Sequence, residues 1–225
     1  MHVAIIPDGN RRWAKEQGLQ ATQGYREVAK KGLKEQSQLS QLIQKARKLD
    51  IKTLSLWVFS TENWSRPQEE QETLFSLLEE NISTLKESLL KAQTKFVWLG
   101  RRDRVKKSIR EKLTELEKQH NKGEFIFQLC FDYGGRDEIL RAVNKAVQSQ
   151  EKQTIETFSE LLDSKDEPDI IIRTSGEMRL SGFMPWQSVY AELFFLEKHF
   201  PDFMPEDLEA VIKEFSLRSR RFGGS

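Results

Sequence analysis

Alternation constrains this chain more than any other feature of its sequence. Apolar runs of strand length take turns with longer segments whose apolar residues recur at helical spacing. The runs are His2–Ile6, Lys52–Phe59, Phe96–Leu99, Phe125–Phe131, Ile170–Ile172 and Val189–Phe195. Between them, residues 24–49 are helix-prone, and Leu74, Leu78, Ile82, Leu85 and Leu89 form one stripe. Val105, Ile109, Leu113 and Leu116 mark a second helix, Ile139, Val143 and Val147 a third, and Leu208, Val211, Ile212 and Phe215 the last. Strands alternating with helices predict an α/β fold, a central six-stranded and mainly parallel sheet covered by helices. No linker, repeat or low-complexity tract divides the chain, and 225 residues suit one domain spanning 1–225.

Charge and cysteine usage narrow the function classes. Lys+Arg 36 against Asp+Glu 35 leaves a net charge of +1, so no nucleic-acid partner is expected and any anion site must be local. The single cysteine, Cys130, excludes an intramolecular disulfide, fits a reducing compartment, and is expected to pack in a strand. No stretch approaches the apolar length of a membrane span, and no basic segment leads into an apolar one at the start. A cytoplasmic protein is expected, with transient contact at a membrane surface left open.

The polar clusters follow the strands. Pro7-Asp8-Gly9-Asn10-Arg11-Arg12 stops the first run, Ser60 to Arg66 follows the second, and Arg173 to Ser181 follows the fifth. In a parallel sheet these three strand ends open on one edge, where such folds place ligands. Asp8, Glu62, Asn63, Arg11, Arg12, Arg66, Arg173 and Arg179 are therefore expected near one crevice. A carboxylate, a Gly, free helix N–H groups and paired guanidiniums suit a metal-bound phosphate or diphosphate. Scattered surface charge is the alternative.

The same segments carry a family resemblance. Asp-Gly-Asn-Arg-Arg-Trp (8–13), Phe-Ser-Thr-Glu-Asn-Trp-Ser-Arg-Pro (59–67), Asp-Tyr-Gly-Gly-Arg (132–136), Ile-Arg-Thr-Ser-Gly-Glu (172–177), Tyr-Ala-Glu-Leu (190–193) and Arg-Arg-Phe-Gly-Gly (220–224) resemble the cis-prenyltransferases, the undecaprenyl diphosphate synthase family. The resemblance implies a homodimer and a Mg²⁺-dependent condensation of an allylic diphosphate with isopentenyl diphosphate. It makes Asp8 the catalytic, metal-binding carboxylate and Glu192 the completion of the metal site. It sets Gly9, Asn10, Arg11 and Arg12 on the allylic diphosphate, with Trp13 and Tyr25 beside them. Arg173, Arg179, Leu180 and Ser181 would hold isopentenyl diphosphate. Ser60, Thr61, Glu62, Trp64 and Arg66 would form a mobile loop over the substrate. Asn63 is the family's candidate for assisting proton removal; its neutral amide favours positioning, with diphosphate or water taking the proton. Without the resemblance, Trp13 and Trp64 read as packing residues, Glu192 as an edge or buried ion pair, and Arg220 and Arg221 as a solvated tail.

Departures from the family pattern concern substrate choice. Where long-chain members have Arg-x-x-Gly-His-x-x-Gly, this chain has Ala21, Tyr25 and Val28, with Arg26 out of register. Arg11, Ser175 and Met178 replace a Gly, a Gly and a His common in the family. Val58 and Phe131 are expected at the floor of a hydrocarbon tunnel, which predicts a short or medium product; ordinary core is the alternative. Irregular, lavandulyl-type joining of two five-carbon units is a second reading. The third, a non-catalytic subunit of a heteromer, is at odds with the retained Asp8.

Overall fold

The computed structural model describes residues 1–20 and 37–218. Its centre is one six-stranded sheet made of β1 (His2–Ile6), β2 (Thr53–Ser60), β3 (Thr94–Leu99), β4 (Phe125–Tyr133), β5 (Ile170–Thr174) and β6 (Glu192–Leu196). The order is β3-β4-β2-β1-β5-β6, and every pair is parallel. Among the described residues, α1 (Asn10–Glu16), α2 (Gln38–Lys48), α3 (Gln68–Lys91), α4 (Lys107–Gln119) and α5 (Gly135–Ser149) pack around it. They are joined by short α6 (Ile155–Ser159) and by α7 (Pro205–Leu217). Of the predicted helix over 24–49, Gln38–Lys48 is seen; Tyr25 and Arg26 lie outside the described residues, as do Arg220 and Arg221.

Strand parity sorts the core into two layers. Val3, Ile5, Leu54, Leu56, Phe127, Leu129, Ile170 and Ile172 face α2, α3, α4 and α7. Ala4, Ile6, Cys130, Tyr133 and Ile171 face the opposite way, against Phe183 and Met184. Because both faces are covered, the strands read as continuous apolar runs. Cys130 is fully buried, and burial pushes its thiol well up, so it stays protonated and packs as expected.

Two expectations need correction. The sixth run forms a strand only from Glu192, because residues 184–191 close into turns (Ser188 N–H to Met184 O, 3.0 Å; Ala191 N–H to Ser188 O, 3.1 Å), leaving Val189 and Tyr190 exposed. On α5, Val143 and Val147 are exposed, as is Leu140, and the helix instead buries Gly135, Glu138 and Ala142. The inward Glu138 is held by the Tyr133 hydroxyl (2.6 Å) and by Gln187 (3.2 Å), and burial raises its carboxyl despite those hydrogen bonds.

A buried histidine ties stability to pH. His2 is 5% exposed, its Nε2 lies 2.7 Å from the Ser55 hydroxyl, and burial lowers its pKa to about 4 against the raising effect of Asp166 and Asp169. The unfolded chain therefore binds this proton more tightly, from pH 6.5 down to about 4. Stability from neutral His2 is complete above that window and is lost as pH falls through it, by on the order of 3 kcal/mol. Urea melts from pH 7 to pH 4 should show this slope, and His2→Gln should flatten it; an unchanged slope in that variant would assign the acid sensitivity elsewhere.

Candidate active site

The site begins where β1 and β5 end side by side, with Ile6 beside Arg173. Here the strand order reverses, since β2 lies on one side of β1 and β5 on the other. The Thr174 hydroxyl accepts from Asp8 N–H (2.9 Å) and lies 2.8 Å from Asp8 O, clamping the turn. Gly9 then takes φ 94°, and a side chain there would stand 2.3 Å from Ser175 Oγ and 2.5 Å from His199 Nδ1. A residue without Cβ is required, and it lets the turn approach Ser175 and His199 closely.

That turn holds one carboxylate among guanidiniums. Asp8 Oδ2 accepts from Arg173 Nη2 (2.8 Å), while Oδ1 accepts from Gly9 N–H (2.7 Å) and sits 3.4 Å from Arg12 Nη2. Half-burial works to raise the Asp8 carboxyl, but the Arg173 hydrogen bond, the Gly9 N–H and the charges of Arg173 and Arg12 outweigh it and hold it below its usual value. Arg173 is itself buried; its Nη1 donates to Ser181 Oγ (2.8 Å) and to the Arg179 carbonyl. Arg12 bridges to Ser175 O (3.0 Å) and Glu177 (2.9 Å).

A cleft of about 760 Å³ runs from this turn along α3. Its mouth is charged and its throat apolar. Leu56, Val58 and Leu129 of the sheet face Leu74, Leu77, Leu78 and Leu85 of α3 across it, with Asn81, Thr84 and Ser88 on the same helix face. From Leu74 to Ser88 the helix rises about 21 Å. The arrangement can take a molecule with an anionic head and a hydrocarbon tail.

The comparisons agree with this geometry. The prenyltransferase family model, that of undecaprenyl diphosphate synthases, matches residues 6–223. This chain belongs to that family. Relatives named isoprenyl transferase are 43% identical in Aquifex pyrophilus, covering 99% of this chain and 95% of the relative, and 42% identical in Thermotoga maritima, covering 99% and 96%. Among solved structures, lavandulyl diphosphate synthase from Lavandula x intermedia, in complex with dimethylallyl diphosphate, superposes with a TM-score of 0.90 at 31% identity, over 99% of this chain and 97% of that one. A probable undecaprenyl diphosphate synthase from Campylobacter jejuni gives 0.82 at 30% identity, over the same shares. The protein is therefore a prenyltransferase of the cis-prenyltransferase fold.

Within this family member, the structure gathers some of the expected residues and separates others. Asp8, Gly9, Asn10, Arg11, Arg12, Ser60, Glu62, Asn63, Arg66, Arg173 and Ser181 all line the cleft. Asn63 Oδ1 accepts from Ser60 N–H (3.0 Å), which fixes the start of the turn Thr61–Ser65. Trp13 is buried in α1, and Thr61 packs on Gly134, where a Cβ would stand 2.1 Å from its hydroxyl. Trp64 points into the core against Phe59 and Phe75. Arg179 is exposed and paired with Glu177, and Leu180 packs against the second core layer.

Glu192 is not brought to Asp8. It opens β6 level with Ile170, three residues or about 10 Å along the strands from the level of Arg173, and it pairs with Arg218 (2.8 Å). Among the described residues no group of three or more His, Cys, Asp or Glu side chains is placed to hold a metal. Phe131 is likewise core: it packs against Phe59, Phe75 and Trp98, whereas Val58 does line the cleft.

Several residues of the mouth were not anticipated. Glu70, 6% exposed, accepts from Arg66 (3.0 Å) and faces Arg11 (3.8 Å), joining the loop after β2 to α1. Its spacing of four from Arg66 at a helix start is the signal that would have found it. His199 bonds Ser175 Oγ (2.5 Å) and Glu16 (3.0 Å), and Phe200 N–H donates to Asp8 O (3.0 Å). Those contacts link segments far apart in sequence, and no local pattern announces them.

Proposed function

We propose that the chain condenses an allylic diphosphate primer with isopentenyl diphosphate, giving a Z-polyprenyl diphosphate and releasing diphosphate. The observation that carries this reading is one continuous cleft with Asp8, Arg11, Arg12 and Arg173 at its mouth and an apolar throat behind them. In the reaction the allylic carbon–oxygen bond breaks and its electron pair leaves with the diphosphate. The isopentenyl double bond attacks the allylic carbon, and a proton then leaves the new chain to diphosphate or water. Arg11, Arg12 and the α1 N-terminus face the charge that grows on the leaving diphosphate. Arg173 and Ser181 hold the second diphosphate, and Asn63, fixed by Ser60, orients the loop above the allylic diphosphate.

Asp8 fits a hard divalent cation such as Mg²⁺, which takes one or two carboxylates and fills its remaining positions with phosphate and water oxygens. When bound, that cation would neutralise charge on the departing diphosphate. Glu192 of the same chain is not part of that set. We further propose that two copies associate through the apolar face of Leu140, Val143 and Val147, which sedimentation at micromolar concentration tests.

Throat length argues for short or medium products. Each five-carbon unit adds four chain carbons, at most about 6 Å at roughly 1.5 Å per bond, so 21 Å holds about three or four units. Incubation with labelled isopentenyl diphosphate and separate primers, followed by product-length analysis, tests the reading; incorporation with none of them defeats it. Val58→Ala should lengthen the products, whereas Phe131→Ala should mainly destabilise the core, by about 3–5 kcal/mol. An unchanged length distribution in a folded Val58→Ala would remove Val58 from the limiting wall.

A second reading, irregular joining of two five-carbon allylic units, is favoured by the 0.90 TM-score to the lavandulyl enzyme. A throat longer than two such units argues for elongation. Product from dimethylallyl diphosphate alone, with no isopentenyl diphosphate added, would decide for the irregular reaction.

A further inference from the structure

Asp132 lies outside the cleft, yet its side chain is fully buried next to the loop that covers the mouth. β2 and β4 pair regularly as far as Trp57 beside Cys130. Val58 is then extra in β2, and Asp132 is extra in β4 before Ser60 meets Tyr133. Asp132 adopts a left-handed backbone, φ 52°, which Asp and Asn tolerate better than other side chains. A bulge of this kind re-aims a side chain. Here it delivers a carboxylate to two donors: Arg104 grips it through Nε (2.7 Å to Oδ2) and Nη2 (2.6 Å to Oδ1), and Trp64 Nε1 donates to Oδ1 (2.8 Å).

Packing also holds the anchored tryptophan. Phe59 and Phe75 pack on its ring at 5.5 and 5.4 Å between centroids, and the Arg104 guanidinium lies 5.3 Å from it. Trp64 belongs to the turn Thr61–Ser65, so its neighbours Glu62 and Asn63 face the cleft while its own ring faces the core. Arg66 follows, and through Glu70 the loop reaches Arg11. Packing alone would be served as well by apolar residues, since a buried ion pair gains little net stability over them. What a charged acceptor adds is a strong, directional hydrogen bond to one indole N–H.

We propose that Asp132 and Arg104 are positioning residues: their ion pair fixes Trp64, and through it sets Glu62, Asn63 and Arg66 over the allylic diphosphate. The inference rests on reading the cleft as a prenyl-diphosphate site. Neither residue touches substrate.

Trp64→Phe keeps an aromatic ring in the cage and removes the N–H together with part of the indole's packing surface. It should raise the KM for an allylic diphosphate about tenfold, the loss of one charge-assisted hydrogen bond, with kcat within about threefold. Asp132→Ala should do the same. Asp132→Asn retains an acceptor oxygen and the left-handed backbone, and should recover most of the KM. The double variant Asp132→Ala/Trp64→Phe should be no worse than the worse single, because both remove one contact. Amide hydrogen exchange without substrate should quicken about tenfold over residues 61–66 in Trp64→Phe and Asp132→Ala, and stay unchanged in the strands. Folded Trp64→Phe with wild-type KM and wild-type exchange in that loop would overturn the proposal, as would additive losses in the double variant. If Asp132→Ala does not fold, Trp64→Phe and Asp132→Asn decide. If the wild type condenses no allylic primer, the functional reading fails and the exchange comparison alone tests the anchoring.

Discussion

Asp8→Ala should lower condensation by about a hundred- to a thousandfold, the usual consequence of removing a group that stabilises transition-state charge. The carboxylate sits where cation and diphosphate oxygens would meet, and surrounding donors keep it ionised. The turn is tied into the fold. Asp8 accepts from Arg173, a buried guanidinium, so the Ala variant should also lose about 1.5–3 kcal/mol of stability. Asp8→Asn is the milder change, because its one amide oxygen still accepts from Arg173 while its NH2 turns toward the Gly9 N–H. It should melt closer to the wild type than the Ala variant and remain almost inactive. Single-turnover rates alongside thermal melts separate the two effects. Near-normal turnover in either variant would take Asp8 out of the reaction.

Arg173→Met should damage both substrates' binding, not only that of isopentenyl diphosphate. The Arg173 guanidinium joins Asp8 on one side to Ser181 on the other, so its loss frees the carboxylate and empties the second diphosphate's cradle together. Charge-assisted hydrogen bonds of about 1.5–3 kcal/mol correspond to roughly tenfold to a hundredfold in KM for each substrate. Arg179→Gln should behave differently. Arg179 is exposed, pairs with Glu177 and does not touch Asp8, so its loss should fall on isopentenyl diphosphate alone and be closer to the lower figure. KM for each substrate, with the other saturating, reads the contrast. A selective effect from Arg173→Met would show that the two diphosphate positions are independent after all.

The layers of the fold were legible because every strand buried on both faces must be apolar throughout, and turn residues must punctuate it. The convergence of Asp8, Asn63 and Arg173 followed from parallel topology alone. Facing was harder to read. The Ile139, Val143 and Val147 stripe has the right period, but periodicity identifies a face and not its partner. α5 turns inward the face with Glu138 and Ala142, since Tyr133 and Gln187 satisfy the carboxylate. The parity of Val58 and Phe131 was hidden by the two bulges, each of which reverses the alternation once. Trp64 sits between two cleft residues in sequence, and a single helical turn sends it the other way. Glu192 drew its metal role from a motif, whereas its place in this chain comes from strand register, which no motif carries.

The central position of β1 has a consequence for synthesis. His2–Ile6 is buried over its whole length, and one of its two hydrogen-bonding edges is completed only by Ile170–Thr174. At about 5–20 residues per second, the ribosome leaves that edge waiting for roughly 10–30 s after the strand is made. Throughout that interval Asp8 has neither Arg173 nor the Thr174 clamp, so the diphosphate mouth does not exist in the nascent chain. The enzyme's substrate head group therefore cannot reward a half-made protein, and a chain interrupted before β5 carries an apolar strand paired with β2 on one edge and bare on the other.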